Sequence, residues 1–311
     1  MVKIPGRTYS GPLPPLTVEQ TSIRDELVCD VGKLASDIGE RNIWFYQNLA
    51  VAADFIEASL TYGGYRVNRQ NFCVEGKTCS NIETEISGTE RAKEIVVIGA
   101  HYDTVFDSPG ADDNSSGVAS VLALARRFAG QRHARTLRFV LFANEEPPFF
   151  QTNEMGSLIY AKSCRKRNDN IVSMLCLESI GYYSEQPNSQ EYPFPYNYMY
   201  PSTGNFIGFV SNLSSRKLLH TVIASFRRNC KFPSQGGVAP GLVPGVAWSD
   251  HWSFWQQGYP AVMITDTAPF RYPYYHGPED TADRIRYDHL TRVVSGLQAT
   301  IAELIGPAIS G

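Results

Sequence analysis

Three apolar runs in this chain each stop on residues that bind cations. Residues 94–100 (EIVVIGA) lead into His101-Tyr102-Asp103, residues 136–143 (TLRFVLFA) into Asn144-Glu145-Glu146, and residues 171–177 (IVSMLCL) into Glu178. Short, continuous, β-branched runs of this kind read as strands buried on both faces, as in a parallel sheet. In open α/β sheets, ligands bind beyond the carboxyl ends of the strands. Three separated stretches therefore deliver a His and several carboxylates to one edge of one sheet. Chance readily places one acid after one strand. It rarely does so three times with this mixture of ligand types.

Around these runs the pattern alternates between strand and helix. Residues 18–39 are amphipathic, with Leu27, Val31, Leu34 and Ile38 at helical spacing and Thr17 placed to cap them. Residues 43–62 predict a second helix, ended by Gly63-Gly64. Residues 65–73 and 79–87 predict strands, the second alternating cleanly over Asn81-Ile-Glu-Thr-Glu-Ile. Further helices are expected over 115–129, 155–164, 214–230 and Tyr287–Ile305, with a short one from Ser249 to Gly258, and further strands over 206–210 and 261–266. Two stretches read as long loops, the Tyr/Pro-rich 182–204 and the Gly/Pro-rich 232–246 (FPSQGGVAPGLVPGV). Loops of that length inside a compact domain are usually functional. The order predicts an α/β chain: a three-layer αβα sandwich around a mixed, mostly parallel sheet, with antiparallel edge strands near the N-terminus. No internal repeat or low-complexity linker divides the 311 residues. One domain over 1–311 is expected, with 1–40 as an N-terminal extension and first helix.

Composition excludes several functions. A net charge of −3 gives no basic footprint for nucleic acid. The short clusters Arg132-His133-Ala134-Arg135 and Arg165-Lys166-Arg167 read as solvated helix ends and loops. No apolar stretch approaches the roughly 20 residues of a membrane span. Residues 1–15 lack the apolar core of a secretory signal. A cytoplasmic protein, or a secreted or periplasmic one whose leader has been removed, both stay open, as does the oligomeric state. The six cysteines contain no C-x-x-C pair, which argues against a thiolate zinc site. Cys29, Cys164, Cys176 and Cys230 lie in apolar patterns and are expected as buried thiols. Cys73 and Cys79 flank a predicted hairpin turn and would face each other across it, as a disulfide or as thiols according to redox context.

A pair of closely spaced cations needs a bridging carboxylate, further carboxylates and imidazoles. His101, Asp103, Asp112, Asp113, Glu145, Glu146, Glu178 and His276 all fall at predicted strand ends or in adjoining loops. Zinc suits this mixture, and manganese or cobalt would fit it too. Any one of these residues alone reads equally well as a solvated loop acid. The whole set does not.

These residues carry a family resemblance. His101-x-Asp103, Gly110-Ala-Asp-Asp113-Asn-Ser-Ser-Gly117, Glu145-Glu146, Met155-Gly156-Ser157, Ser249-Asp250-His251 and Tyr275-His276 follow one another in order from about Asn81 to Asp283. The series resembles the co-catalytic dinuclear zinc aminopeptidases, a family that includes bacterial leucine aminopeptidases and aminopeptidase Y. Glutamate carboxypeptidases and glutaminyl cyclases are its relatives. Several motifs agree in residue type and spacing, so the resemblance is specific. It implies a zinc exopeptidase (phosphorylase/hydrolase-like) fold and two zinc ions per chain. Asp113 would bridge them, His101 and Glu178 would complete one site, and Glu146 and His276 the other. Asp103 would hydrogen-bond His101 and fix its tautomer. Glu145 would be the general base toward a zinc-activated water. Tyr275 would donate to the developing oxyanion, or else form only an aromatic wall. Asp250 would lie near the substrate amine, or else merely cap a helix. The peptide bond between Asp113 and Asn114 would be cis.

The function implied is a metal-dependent exopeptidase that hydrolyses the N-terminal bond of a peptide with a free amine. Phe149, Phe150, Trp248, Trp252 and the Pro/Tyr-rich loop are candidates for an apolar pocket around the first side chain. Alternatives are a mononuclear-zinc glutaminyl cyclase, a dipeptidase or carboxypeptidase of the same fold, and a non-enzymatic binding protein. Arg271 is the nearest candidate to clasp a terminal carboxylate. The sequence departs from the family twice. Glu178 stands where Asp is common, and Pro147–Glu154 residues replace a shorter Gly-rich turn with a longer aromatic loop.

Overall fold

The computed structural model describes residues 4–308. The first three residues of the stretch inspected for a leader lie outside them. The strands are β1 (Val67–Val74), β2 (Lys77–Ile86), β3 (Arg91–His101), β4 (Arg135–Phe142), β5 (Asn170–Glu178), β6 (Ile207–Ser211), β7 (Ser234–Val238) and β8 (Ala261–Thr265). They form one sheet in the order β1-β2-β4-β3-β5-β8-β6-β7. The central four run parallel, which brings the ends of the three ligand-bearing runs to the same edge. The N-terminal pair is antiparallel, as expected. The other edge is also reversed: β6 runs antiparallel to β8, and β7 follows β6.

Strand β7 corrects the reading of 232–246 as structureless. Its sequence, SQGGV, carries no apolar alternation, so periodicity is silent there. The glycines serve packing: a Cβ on Gly236 would stand 2.9 Å from the side chains of Ile223 and Ile4. The edge strand can approach the helix behind it only without one.

Helices α1 (Val18–Val31), α2 (Tyr46–Tyr62), α3 (Gly117–Phe128), α4 (Gly156–Lys166), α5 (Arg216–Asn229), α6 (His251–Gln256) and α7 (Tyr287–Ile305) cover the sheet. Helix α1 starts at a capping box, in which Thr17 and Gln20 satisfy each other's backbone N–H groups. It continues through wider π-type turns over Gly32–Ile38 and stops at Gly39, whose φ of 76° suits glycine. Alternate strand residues feed two cores. Val96, Ile98, Leu137, Phe139 and Leu141 share one core with α1, α3, α5 and α7. Ile95, Val97, Val140 and Phe142 share the other with α4 and α6. Helix α3 is apolar on nearly every side and correspondingly buried, up to Arg126 and Arg127 in its last turn. Those two arginines pair with Glu26 and Asp30 of α1.

The cysteine readings need two corrections. Cys73 and Cys79 are free, the first exposed and the second buried. The hairpin register pairs Phe72 with Cys79 and Cys73 with Thr78, so the two thiols point to opposite faces. Cys29 is exposed, because α1 buries Ile23, Leu27, Asp30 and Val31 instead. Among the described residues, no helix is long and apolar enough to cross a membrane.

Candidate metal centre and active site

The centre is assembled from strand ends and the loops that leave them. His101 is the last residue of β3. After β4, Asn144 takes a φ of 57°, a conformation Asn tolerates, and turns the chain so that Glu145 and Glu146 come back across the sheet edge. The carboxylate of Asp103 fixes that turn, accepting the Glu145 N–H at 3.1 Å and the Glu146 N–H at 3.1 Å. Glu178 ends β5. Asp113 lies in the tight turns before α3, and its peptide bond to Asn114 is cis, as the resemblance implies.

Asp113 stands between the two imidazoles. Its Oδ1 is 3.2 Å from His101 Nε2 and its Oδ2 is 3.2 Å from His276 Nε2. Glu178 Oε2 lies 3.3 Å from His101 Nε2, and Glu146 Oε2 lies 3.4 Å from His276 Nε2. Three groups of candidate ligands result, His101/Asp113/Glu178 and His276/Asp113/Glu146, which share Asp113, and His101/Glu145/Glu146. Glu145 sits beside the two that share Asp113, with Oε2 4.0 Å from His101 Nε2. The extra methylene of Glu178 is held in place by two hydroxyls: Ser249 donates to Oε2 at 2.6 Å and Ser179 to Oε1 at 2.9 Å. His101 Nδ1 lies 3.3 Å from the main-chain oxygen of Asp103 and 3.6 Å from its carboxylate. The imidazole is thus oriented by the main-chain oxygen of Asp103, while the expected bond to its carboxylate is not formed.

The electrostatics are those of a crowded acidic hollow. Burial opposes a charge on His101, but Glu178 and Glu145 outweigh it and hold the imidazole well above its usual pKa. His276 likewise overcomes burial through Asp113 and Glu146 and is pushed up to about 10. Burial would raise Asp113, yet the two imidazoles 3.2 Å away keep it below the usual carboxylate range. Burial and the charge of Asp113 push Glu146 up to about 7. Burial raises Glu145 well above its ordinary value; His101 opposes, and Glu146, Glu178 and Asp250 add to the rise. The hollow calls for added positive charge. His101 Nε2, His276 Nε2, Asp113 Oδ1 and Glu146 Oε1 are buried with no hydrogen-bond partner. Lone-pair donors aimed at one another at such distances fit divalent cations between them, and two imidazoles with three carboxylates suit zinc.

The other expected residues fall at varied distances from this centre. Asp112 is not with the ligands: its Oδ1 accepts the Gly181 N–H at 2.7 Å. Asp250 is the N-cap residue of α6 but makes no side-chain cap bond; it is fully buried with neither carboxylate oxygen hydrogen-bonded, and Ser249 donates to Glu178. Burial, with the charges of Glu178 and Asp103 adding and His101 and Ser157 opposing, pushes Asp250 up to about 7. Tyr275 stacks on His276, ring centres 3.8 Å apart. With Glu178 it lines an apolar cleft of about 930 Å³, open mouth included, whose walls carry Trp248, Phe270, Tyr196 and Tyr200. Of the lining expected for such a pocket, Trp248 and the Pro/Tyr-rich loop, through Tyr192, Pro193, Tyr196 and Tyr200, are present, whereas Phe149 is packed in the core instead.

Sequence reading missed Asp280. Its two oxygens accept the N–H groups of Asp112 at 2.8 Å and Asp113 at 3.1 Å, which steadies the bridging position from below. It lies four residues after His276 in a polar loop, and nothing in Gly-Pro-Glu-Asp-Thr marks it out.

Residues 81–301 match the description of Peptidase family M28. The chain belongs to that family. The matched stretch contains every motif on which the resemblance rested. The uncharacterized protein YfbL of Escherichia coli (strain K12) is 36% identical over 282 residues, covering 88% of this chain and 86% of that one. Leucine aminopeptidase 1 of Arthroderma otae is 24% identical over 283 residues, covering 86% and 68%. The zinc aminopeptidase BSAP from Bacillus subtilis superposes with a TM-score of 0.74 at 15% identity, covering 93% and 96%. Its fold is this M28 chain's fold. Solved glutaminyl cyclases share the fold as well.

Proposed function

We propose that this M28 peptidase is a zinc-dependent aminopeptidase that holds two zinc ions per chain and removes the first residue of peptides with a free amine. The observation that carries the reading is Asp113, each of whose carboxylate oxygens faces a different imidazole at 3.2 Å. His101 and Glu178 would hold one ion with it, and His276 and Glu146 the other. Zinc bound there supplies Lewis acidity that polarises the scissile carbonyl and makes water easier to deprotonate.

The remaining steps belong to the chain's own side chains. Glu145, buried and raised in pKa, accepts the proton of the attacking water and returns it to the leaving amine. Asp103 supports that role by holding the Glu145 and Glu146 N–H groups. Tyr275 lines the cleft beside Glu178, where its hydroxyl would donate to the developing oxyanion. The unpaired carboxylate of Asp250, with Glu145 and Glu178, favours a protonated α-amine. The apolar cleft takes the first side chain. A carboxypeptidase reading finds less support in its candidate cation. Arg271 is buried and donates to Gln190 Oε1 at 2.8 Å and to the Phe206 carbonyl at 2.8 Å.

A glutaminyl cyclase needs one zinc, whereas both ligand triads that share Asp113 are complete here. The test is the zinc content of the protein together with the products from a glutaminyl peptide and a leucyl peptide. Two equivalents and release of free leucine are expected. One equivalent with pyroglutamyl product would replace this reading with the cyclase.

A further inference from the structure

Arg41 is the largest side chain in the fully buried interior, at 0% exposure. Among the described residues no carboxylate lies within ion-pair distance of it. Its guanidinium is saturated with neutral acceptors. Nε donates to the Tyr102 carbonyl at 2.6 Å, Nη1 to Pro109 at 2.7 Å and Gly39 at 3.1 Å, and Nη2 to Gly110 at 3.0 Å and Ser115 Oγ at 2.7 Å. A longer contact reaches the Leu34 carbonyl at 3.3 Å. The backbone joins in: Arg41 N–H donates to Thr104 Oγ1 at 3.1 Å, and Thr104 N–H donates to the Arg41 carbonyl at 3.0 Å.

These acceptors are not scattered. Tyr102 and Thr104 flank Asp103 at the start of one loop. Pro109, Gly110 and Ser115 flank Asp113 at its end. Gly110 takes a φ of 59°, and a Cβ there would stand 2.4 Å from the Asp113 carbonyl and 2.4 Å from Thr104, so the loop closes this tightly only on glycine. Burying an unpaired cation is costly and persists where its hydrogen bonds are made in full. Burial pushes its pKa down to about 10, with Asp103, Asp280, Asp113 and Glu146 opposing. The family match begins at residue 81, so Arg41 comes from a part of the chain outside it.

We propose that Arg41 is a positioning residue: by tying both ends of the 102–115 loop to one planar group, it sets the Asp113 carboxylate between His101 and His276 and so sets the affinity of the centre for zinc. The inference rests on the reading of these residues as a zinc centre. It has a signature that bulk electrostatics cannot mimic. A buried positive charge near a cation site repels the cation, so removing that charge alone would tighten zinc. Removing the ties loosens the bridging carboxylate and weakens zinc.

The experiment titrates zinc chloride against a competing chelator in the wild type, Arg41→Lys and Arg41→Gln. Far-UV circular dichroism and thermal unfolding establish that each variant is folded at the titration temperature. Lysine keeps the charge but offers fewer donors in no planar fork. Glutamine keeps donors but no charge. Both variants are expected to bind zinc at least about tenfold more weakly, with KM for a leucyl substrate little changed at saturating zinc. Unchanged affinity in both, or tighter zinc in the Gln variant, would overturn the proposal. If neither variant folds, the double variant Thr104→Val/Ser115→Ala removes one tie from each end of the loop. Weaker zinc in that folded variant supports the proposal, and wild-type affinity overturns it. A wild type that binds no zinc would remove the metal-centre reading, and this inference with it.

Discussion

Glu145 and Glu146 are neighbours in sequence with different surroundings. Glu146 reaches to 3.4 Å from His276 Nε2, while Glu145 approaches only His101, at 4.0 Å. Glu145→Gln should therefore keep its zinc content and lower turnover by roughly 100- to 10,000-fold, the usual share of a general base. Glu146→Gln should lose zinc, because an amide is a poor ligand. Metal content and kcat on the two variants check the assignment, and the reverse pattern would exchange the roles. A second residue-scale expectation concerns pH. His251 is fully buried, its Nε2 lies 2.8 Å from the Val246 carbonyl, and burial pushes its pKa down to about 4. The unfolded chain, with an ordinary imidazole near 6.5, then binds the proton more readily than the folded one. The stability contribution is complete above the ordinary value and is lost as pH falls toward 4, by about 3 kcal/mol in all. Thermal midpoints of wild type and His251→Phe should therefore converge or cross between pH 7 and pH 4. A gap that stays constant would show that this histidine does not titrate there.

At the scale of elements, the start of α3 and the end of β5 share one side chain. Asn114 Oδ1 accepts the N–H groups of Gly117 and Ser179, each at 3.1 Å, and Asn114 Nδ2 donates to the Leu177 carbonyl at 2.9 Å. A Cβ on Gly117 would stand 2.2 Å from Asn114 Oδ1 and 2.5 Å from the Leu177 carbonyl. Gly117→Ala should thus cost about 1–3 kcal/mol through overpacking and weaken zinc by displacing the turn that carries Asp113. The urea midpoint and a zinc titration read the two effects; wild-type values in both would contradict this account of the junction. The strands that bear ligands are legible in the sequence because burial on both faces demands uninterrupted β-branched runs. Tyr287–Ile305 is legible to the residue because its apolar period is unbroken. Strand β7 is not, because glycine carries no period. Asp280, Arg41 and Ser249 were not legible either. Each acts on a residue far away in sequence, and only the tertiary fold brings the pair together. The ligands themselves could be read because they sit where strands end, a position that the local pattern marks.

Over the whole molecule, the parallel centre of the sheet brings His101, Glu145, Glu146 and Glu178 to one edge, and the loops after β8 and before α3 close over it with His276 and Asp113. The side of this hollow that would meet substrate combines surplus carboxylates with an apolar cleft that Arg271, buried against Gln190 and Phe206, does not line. On the proposed reading, that combination would select a positively charged amine attached to an apolar side chain. The most direct measurement is kcat/KM for one leucyl peptide in its free and N-acetylated forms, with zinc supplied and with a chelator as control. The free form should be cleaved far faster, by at least about a hundredfold, and the chelator should abolish cleavage of both; a ratio near one, or cleavage that requires a free carboxyl end, would contradict the aminopeptidase reading.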